Sequence, residues 1–172
     1  MEVAMLRRRS ARRSCVLMFL GLAVAGSTAI ARARPLQDAK PPTVLFMCPH
    51  GAAKSLMASA YFQKLAKERG LNVRVDSAGT EPDEQLSKGV VAHLQKNGYA
   101  IPIEKPRAAT AADMQRADIV ISMGCDLSKL PAPTGALKTW TVPDFSANFD
   151  AAEQSIRDQV IKLVDELAAR RQ

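Results

Sequence analysis

From Thr43 onward, apolar positions fall into two alternating patterns. Thr43-Val-Leu-Phe-Met-Cys48 is a short continuous apolar run rich in strand formers, the pattern of a parallel strand buried on both faces. A loop of small residues, Pro49–Ala53, follows. Over Lys54–Arg69 the positions Leu56, Met57, Ala60, Tyr61 and Leu65 recur at helical spacing, and Gly70 supplies the stop. Leu71–Asp76 alternates as a second strand that turns at Ser77-Ala78-Gly79-Thr80. Val90, Val91 and Leu94 mark a helix ending near Asn97-Gly98. Thr110–Arg116 predicts another helix, opened by Thr110 with Asp113 three residues on. Asp118–Met123 is the third strand and Leu137–Val142 the fourth. Ser155–Arg171 is an amphipathic helix with Ile156, Val160, Leu163, Val164 and Leu167 inward. Strand–helix alternation throughout predicts an α/β domain, a parallel sheet covered by helices.

Composition narrows this picture. A chain of 172 residues has room for one domain of this kind, not two. Cys15, Cys48 and Cys125 are too few and too scattered for a disulfide framework, and His50 and His93 stand 43 residues apart, so no metal-ligand spacing is visible. The net charge of +7 suggests a nucleic-acid binder until its distribution is read. Residues 1–33 hold six arginines and one acid, whereas the remaining 139 residues carry 18 basic and 16 acidic side chains. The excess belongs to the leader, not to a folded basic face, so nucleic acid is not an expected partner.

Residues 1–33 read as an export signal. Arg7–Arg13 form a basic segment, Ser14–Ala31 carry no charge, and Ala29-Ile30-Ala31 and Ala31-Arg32-Ala33 offer the small-x-small pattern of a cleavage site. Arg12-Arg13 before the apolar run resembles a twin-arginine signal. The expected location is the periplasm or another exported compartment; an uncleaved membrane anchor is the alternative. Residues 34–42 form a linker closed by Pro41-Pro42, and the domain occupies 43–172.

The candidate chemistry lies where the first strand meets its helix, at Cys48-Pro49-His50-Gly51-Ala52-Ala53-Lys54-Ser55. In an open parallel sheet, ligands bind beyond the carboxyl ends of the strands. A loop of small residues there can turn successive N–H groups inward, and the following helix adds its positive end. A cysteine at its start meets those donors and Lys54, an environment that favours a thiolate nucleophile, with Ser55 donating to the sulfur. A buried cysteine closing a core strand is the plainer reading of the same residue.

Residues 43–167 resemble the low-molecular-weight protein tyrosine phosphatase and arsenate reductase superfamily. The resemblance rests on Val44-Leu-Phe-Met-Cys48 with five residues before a basic residue and Ser55, and on Asp76-Ser77-Ala78-Gly79-Thr80. Ala117-Asp-Ile-Val-Ile-Ser-Met123 and Trp140-Thr-Val-Pro-Asp144 complete it. It implies a four-stranded parallel sheet of order 2-1-3-4 with helices on both faces. It also implies that Pro49, His50, Gly51, Ala52 and Ala53 cradle a phosphate or arsenate oxyanion and that Cys48 attacks its central atom. Asp144 would then serve as general acid and later as general base. A phosphorylated protein is the implied substrate, and neither metal nor organic cofactor is implied.

Three departures from that family accompany the resemblance. Lys54 stands where the family has arginine, and a point charge cannot reproduce a forked guanidinium. Losing one charge-assisted bond in the transition state costs about 1.5–3 kcal/mol, about ten- to a hundredfold in rate. Gly51 replaces a common asparagine, and Phe145 replaces the proline after the acid. Cys125, in Ser122-Met123-Gly124-Cys125-Asp126, resembles the second cysteine of the arsenate-reductase branch, which attacks the first, forms a disulfide and needs an external thiol reductant. Export weighs against that branch, because thiol recycling belongs to the cytosol. Phosphomonoester hydrolysis is therefore the leading expectation and arsenate reduction the alternative. A non-catalytic anion or phosphopeptide binder, prompted by Lys54 and Gly51, is the third. His93 reads as structural, and Lys105 and Arg107 as a solvated charged loop.

Overall fold

The computed structural model describes residues 40–170, so the segment expected to be an export signal, Cys15 and most of the expected linker lie outside the described residues. Strand β1, Thr43–Cys48, occupies the predicted residues, and its side chains alternate between two cores. Val44, Phe46 and Cys48 face one cluster and Leu45 and Met47 the other, as period-two geometry requires. Helix α1, Lys54–Glu68, follows the five-residue loop, and the chain leaves it through Gly70 at φ +64°. Strand β2 spans Arg74–Gly79, three residues later than the sequence suggests. Parallel pairing sets its limits, because Arg74 is in register with Thr43 and Gly79 with Cys48. Leu71 instead closes the end of α1, donating its N–H to the Ala66 carbonyl at 2.8 Å.

Helices α2, Lys88–Lys96, and α3, Ala111–Arg116, lie where periodicity and capping place them. Strands β3, Ile119–Ser122, and β4, Ala136–Thr139, complete a parallel sheet of order β2-β1-β3-β4. The predicted fourth strand is cut short. Trp140 still donates to the Ser122 carbonyl, but the carbonyls of Thr141 and Val142 turn to Ser155 Oγ and Lys54 Nζ. Helix α4, Phe149–Ala169, starts six residues before the predicted Ser155. Asn148 caps it by accepting from Ala151 N–H at 3.0 Å, a signal hidden in sequence by the polar turn around Asp150, Glu153 and Gln154.

Residues of α1, α2 and α4 bury the larger core against one face of the sheet, while Met114 of α3 and the partly buried Cys125, Leu127 and Leu130 pack on the other. The result is a three-layer α/β fold. Tyr61 of α1 donates to Glu153 of α4 at 2.8 Å and meets His93 of α2 at 3.1 Å, so His93 stitches three helices together, as its place on an apolar face suggested. Among the described residues no helix is long and apolar enough to cross a membrane.

Arg107 corrects one expectation. It is only about a third exposed, at 34%, and bridges two carboxylates, Asp76 at 2.7 Å and the buried Asp113 at 2.7 Å. Asp113 also takes Arg116 and both the N–H and hydroxyl of Thr110, closing the capping box of α3. Burial alone would raise its pKa; hydrogen bonds from Arg107 and Thr110 outweigh that and hold it well below the usual carboxylate range. A folded-state pKa below the unfolded one stabilises the fold fully above the ordinary value near 4, and the contribution is lost progressively as pH falls from there through the depressed folded value. Asp113→Asn is therefore expected to cost about 2 kcal/mol at pH 7, the loss shrinking progressively as pH falls below about 4. Urea unfolding of both proteins at pH 7 and pH 3 checks this, and equal destabilisation at both would refute it.

Candidate active site

The loop between β1 and α1 is shaped by what holds its carbonyls. Pro49 O accepts from Glu81 N–H at 2.8 Å, His50 O from Asp83 N–H at 3.0 Å, and Ala52 O from Ser87 N–H at 3.0 Å. In a trans peptide the N–H opposes the C=O, so the amides of His50 and Ala53 point away from the 81–87 segment, while Gly51 N–H closes a turn onto Cys48 O at 3.3 Å. Backbone donors turned the same way form an anion-binding concavity, and the amino end of α1 adds its positive field.

Two glycines make the loop's position possible. Gly51 adopts φ +62°, and a Cβ there would lie 2.9 Å from Gly79 N. Gly79 returns the constraint more severely, since its Cβ would lie 2.7 Å from both Gly51 N and Pro49 O. The left-handed angle suits glycine or asparagine. The close approach to β2 explains the glycine at position 51.

Cys48, a free buried thiol, forms the floor. It donates to Ser55 Oγ at 3.3 Å, and Ser55 N–H points at its sulfur at 3.5 Å. The hydroxyl is free to rotate and donate once the sulfur is a thiolate. A cleft of about 470 Å³ opens above it, bounded by the loop, by Asp83 and Ser87, and by Asp144, Phe145 and Ser146. Asp144, Cys48 and Lys54 thus line one cleft from segments ninety residues apart in the chain. Phe145 packs its ring on Phe149 at 5.0 Å between centroids, pinning the segment behind Asp144 to the start of α4.

Lys54 is committed to that segment. Its Nζ donates to Asp144 Oδ1 at 2.6 Å and to Val142 O at 3.1 Å. The hydrogen bond first and the charge second hold the Asp144 carboxyl below its ordinary value. His50 lies at the rim, exposed, with Nδ1 at 3.2 Å from Asp83 Oδ1. Cys125 sits half-buried beyond β3. Burial pushes its thiol up and the nearby Cys48 adds to that, against hydrogen bonds with Ser122 and Thr80. Both cysteines are free thiols. Among the described residues no group of three or more His, Cys, Asp or Glu is placed to hold a metal ion.

Sequence reasoning missed the parts contributed by other segments. Gly79 reads as a turn glycine, yet it is the seat of the loop. Asp83, Ser87 and Ser146 carry no motif that points to the cleft.

Comparison with known proteins agrees with this geometry. The family described as low molecular weight phosphotyrosine protein phosphatase matches residues 43–158. A Halobacterium salinarum protein with the provisional name arsenate reductase is 27% identical over 124 residues, 71% of this chain and 87% of the relative. The structure of a thioredoxin-dependent arsenate reductase from Corynebacterium glutamicum is similar with TM-score 0.67 and 26% identity, over 77% of this chain and 65% of that one. This chain therefore spans less than two thirds of that protein. A low molecular weight phosphotyrosine phosphatase from Vibrio cholerae shares the fold, with TM-score 0.65 and 24% identity over 73% of this chain and 95% of that one.

Proposed function

The chain belongs to the low molecular weight phosphotyrosine protein phosphatase family, whose cysteine-dependent enzymes include arsenate reductases, and from that premise we propose that it hydrolyses phosphomonoesters through a thiophosphate on Cys48. One observation carries the reading: a free thiol at the base of an amide-lined loop faces a carboxylate across a single cleft. In the first step the Cys48 thiolate attacks phosphorus. The S–P bond forms, the P–O bond to the leaving group breaks, and the leaving oxygen takes a proton from Asp144. In the second step Asp144 takes a proton from water, whose oxygen attacks phosphorus; the S–P bond breaks, releasing phosphate and restoring the thiolate. The loop amides stabilise charge on the transferred group in both steps. A phosphorylated protein side chain is the substrate we favour, because the cleft opens to solvent beside the Phe145 ring. On the pattern of residues 1–33 we place the enzyme in an exported compartment.

The position of Cys125 favours arsenate reduction as a second reading. Cys48 would attack arsenic and displace one oxygen as water; Cys125 would then attack the Cys48 sulfur, breaking the S–As bond with its electron pair passing to arsenic, so that arsenite leaves and the two thiols are oxidised to a disulfide that an external thiol must reduce. The raised Cys125 thiol is a poor attacker at neutral pH, which favours hydrolysis. Assaying the reduced full chain with an aryl phosphate and, separately, with arsenate separates the two. Hydrolysis that stays within about threefold in Cys125→Ser is expected, since the thiol takes no part in phosphoryl transfer. Arsenite release that stops in Cys125→Ser, without phosphate ester hydrolysis, would replace the first reading by the second. Neither activity, with phosphate still bound, would leave an anion binder.

A further inference from the structure

Lys54 departs from the family pattern, and its contacts suggest a use for the departure. It is the first residue of α1, its side chain is 18% exposed, and it lines the same cleft as Cys48. An ammonium has three N–H donors, and the Asp144 and Val142 segment engages two of them. A guanidinium with five donors in a rigid fork could serve that segment and a bound oxyanion together. A point charge on a flexible four-carbon stem must divide itself between them.

Resting on the phosphatase reading, we propose that Lys54 switches partners: a dianion seated on the loop draws the ammonium away from Asp144, and the freed carboxyl takes up the proton that it delivers to the leaving oxygen. Charge and exposure both favour the exchange. The Asp144 side chain is 74% exposed, so water competes for its pairing with Lys54, whereas the dianion has twice the charge and sits in a concavity of amides. In the resting site Asp144 is ionised, the form required of a base in the second step but not of an acid in the first. Departure of Lys54 removes the leading cause of the carboxyl's lowered pKa, and the arriving negative charge pushes it up past its ordinary value. The other groups that titrate or carry charge around the cleft are Cys48 on its floor and His50, held by Asp83, on the far wall.

Such a switch couples anion binding to proton uptake. The test is calorimetry of the reduced full chain with inorganic sulfate at pH 5, in buffers of different ionisation enthalpy. Sulfate stays a dianion at this pH, so any proton taken up goes to the protein. Wild type is expected to take up about half a proton or more per sulfate bound. Asp144→Asn should lose most of that uptake. Lys54→Met, in which Asp144 is likewise ionised at pH 5 before sulfate arrives, should take up at least as much as wild type. Wild-type uptake far below that of Lys54→Met, as a lysine that stays on Asp144 would give, overturns the switch while leaving oxyanion binding intact, and so does uptake that survives Asp144→Asn. Absence of sulfate binding by the wild type overturns the switch together with the reading beneath it. Asp144 is exposed, so the asparagine variant keeps the fold and decides the matter even if the lysine variant is poorly behaved.

Discussion

Cys48→Ser is expected to lower kcat/KM for an aryl phosphate by at least about 10⁴-fold while leaving oxyanion binding within a few-fold of wild type. The two effects separate because different atoms carry them. The nucleophile is a single sulfur, and a serine hydroxyl stays protonated at neutral pH with no base beside it: its neighbour at 3.3 Å is the Ser55 hydroxyl. Binding belongs to backbone amides, whose orientation is set by carbonyls tied to Glu81, Asp83 and Ser87. Serine is nearly isosteric with cysteine and keeps a hydrogen bond to Ser55, so the loop has no reason to move. Steady-state kinetics and phosphate calorimetry on the same preparation check both halves. More than about 1% residual turnover would remove Cys48 from the chemistry.

Gly79→Ala should lower kcat/KM by about a hundredfold or more, although residue 79 touches no substrate. The added methyl would meet Gly51 N and Pro49 O at 2.7 Å and the His50 carbonyl carbon at 2.9 Å, all backbone atoms of the oxyanion loop. Position 79 cannot retreat. It pairs in register with Cys48, donates to Arg107 O at 2.9 Å and accepts from Ala109 N–H at 2.8 Å. The loop must therefore move, and misplacing amides by even an ångström forfeits much of what they contribute. A stability loss of about 1–3 kcal/mol accompanies the overpacking. Gly89→Ala is the control, since nothing lies within 4 Å of its Cβ position and its helical site favours alanine. Activity of Gly79→Ala within threefold of wild type would show that the loop tolerates displacement, against the argument.

Local signals were the legible part of this sequence. The apolar run ending at Cys48, the helical spacing after Lys54 and the Thr110–Asp113 capping box each depend on residues within a few positions of one another, and the structure has all three where the sequence puts them. The resemblance added the late carboxylate, and the fold brings Asp144 to the cleft over Cys48. Errors arose wherever a distant partner set the boundary. Strand β2 slides three residues because its limits follow the register with β1, and β4 ends early because Lys54 and Ser155 claim the carbonyls that would have extended it.

The sequence by itself pointed to an α/β fold and to a cysteine loop at a strand-to-helix junction, because periodicity and capping act over short stretches of chain. Only the tertiary structure decided that Gly79 seats the loop, that Arg107 is an internal brace, and that Lys54 rests on Asp144 rather than pointing freely at an anion. Each of these depends on a contact spanning between 6 and 90 residues. Distances of that kind follow from how helices and strands pack, and no pattern of neighbours along the chain encodes them.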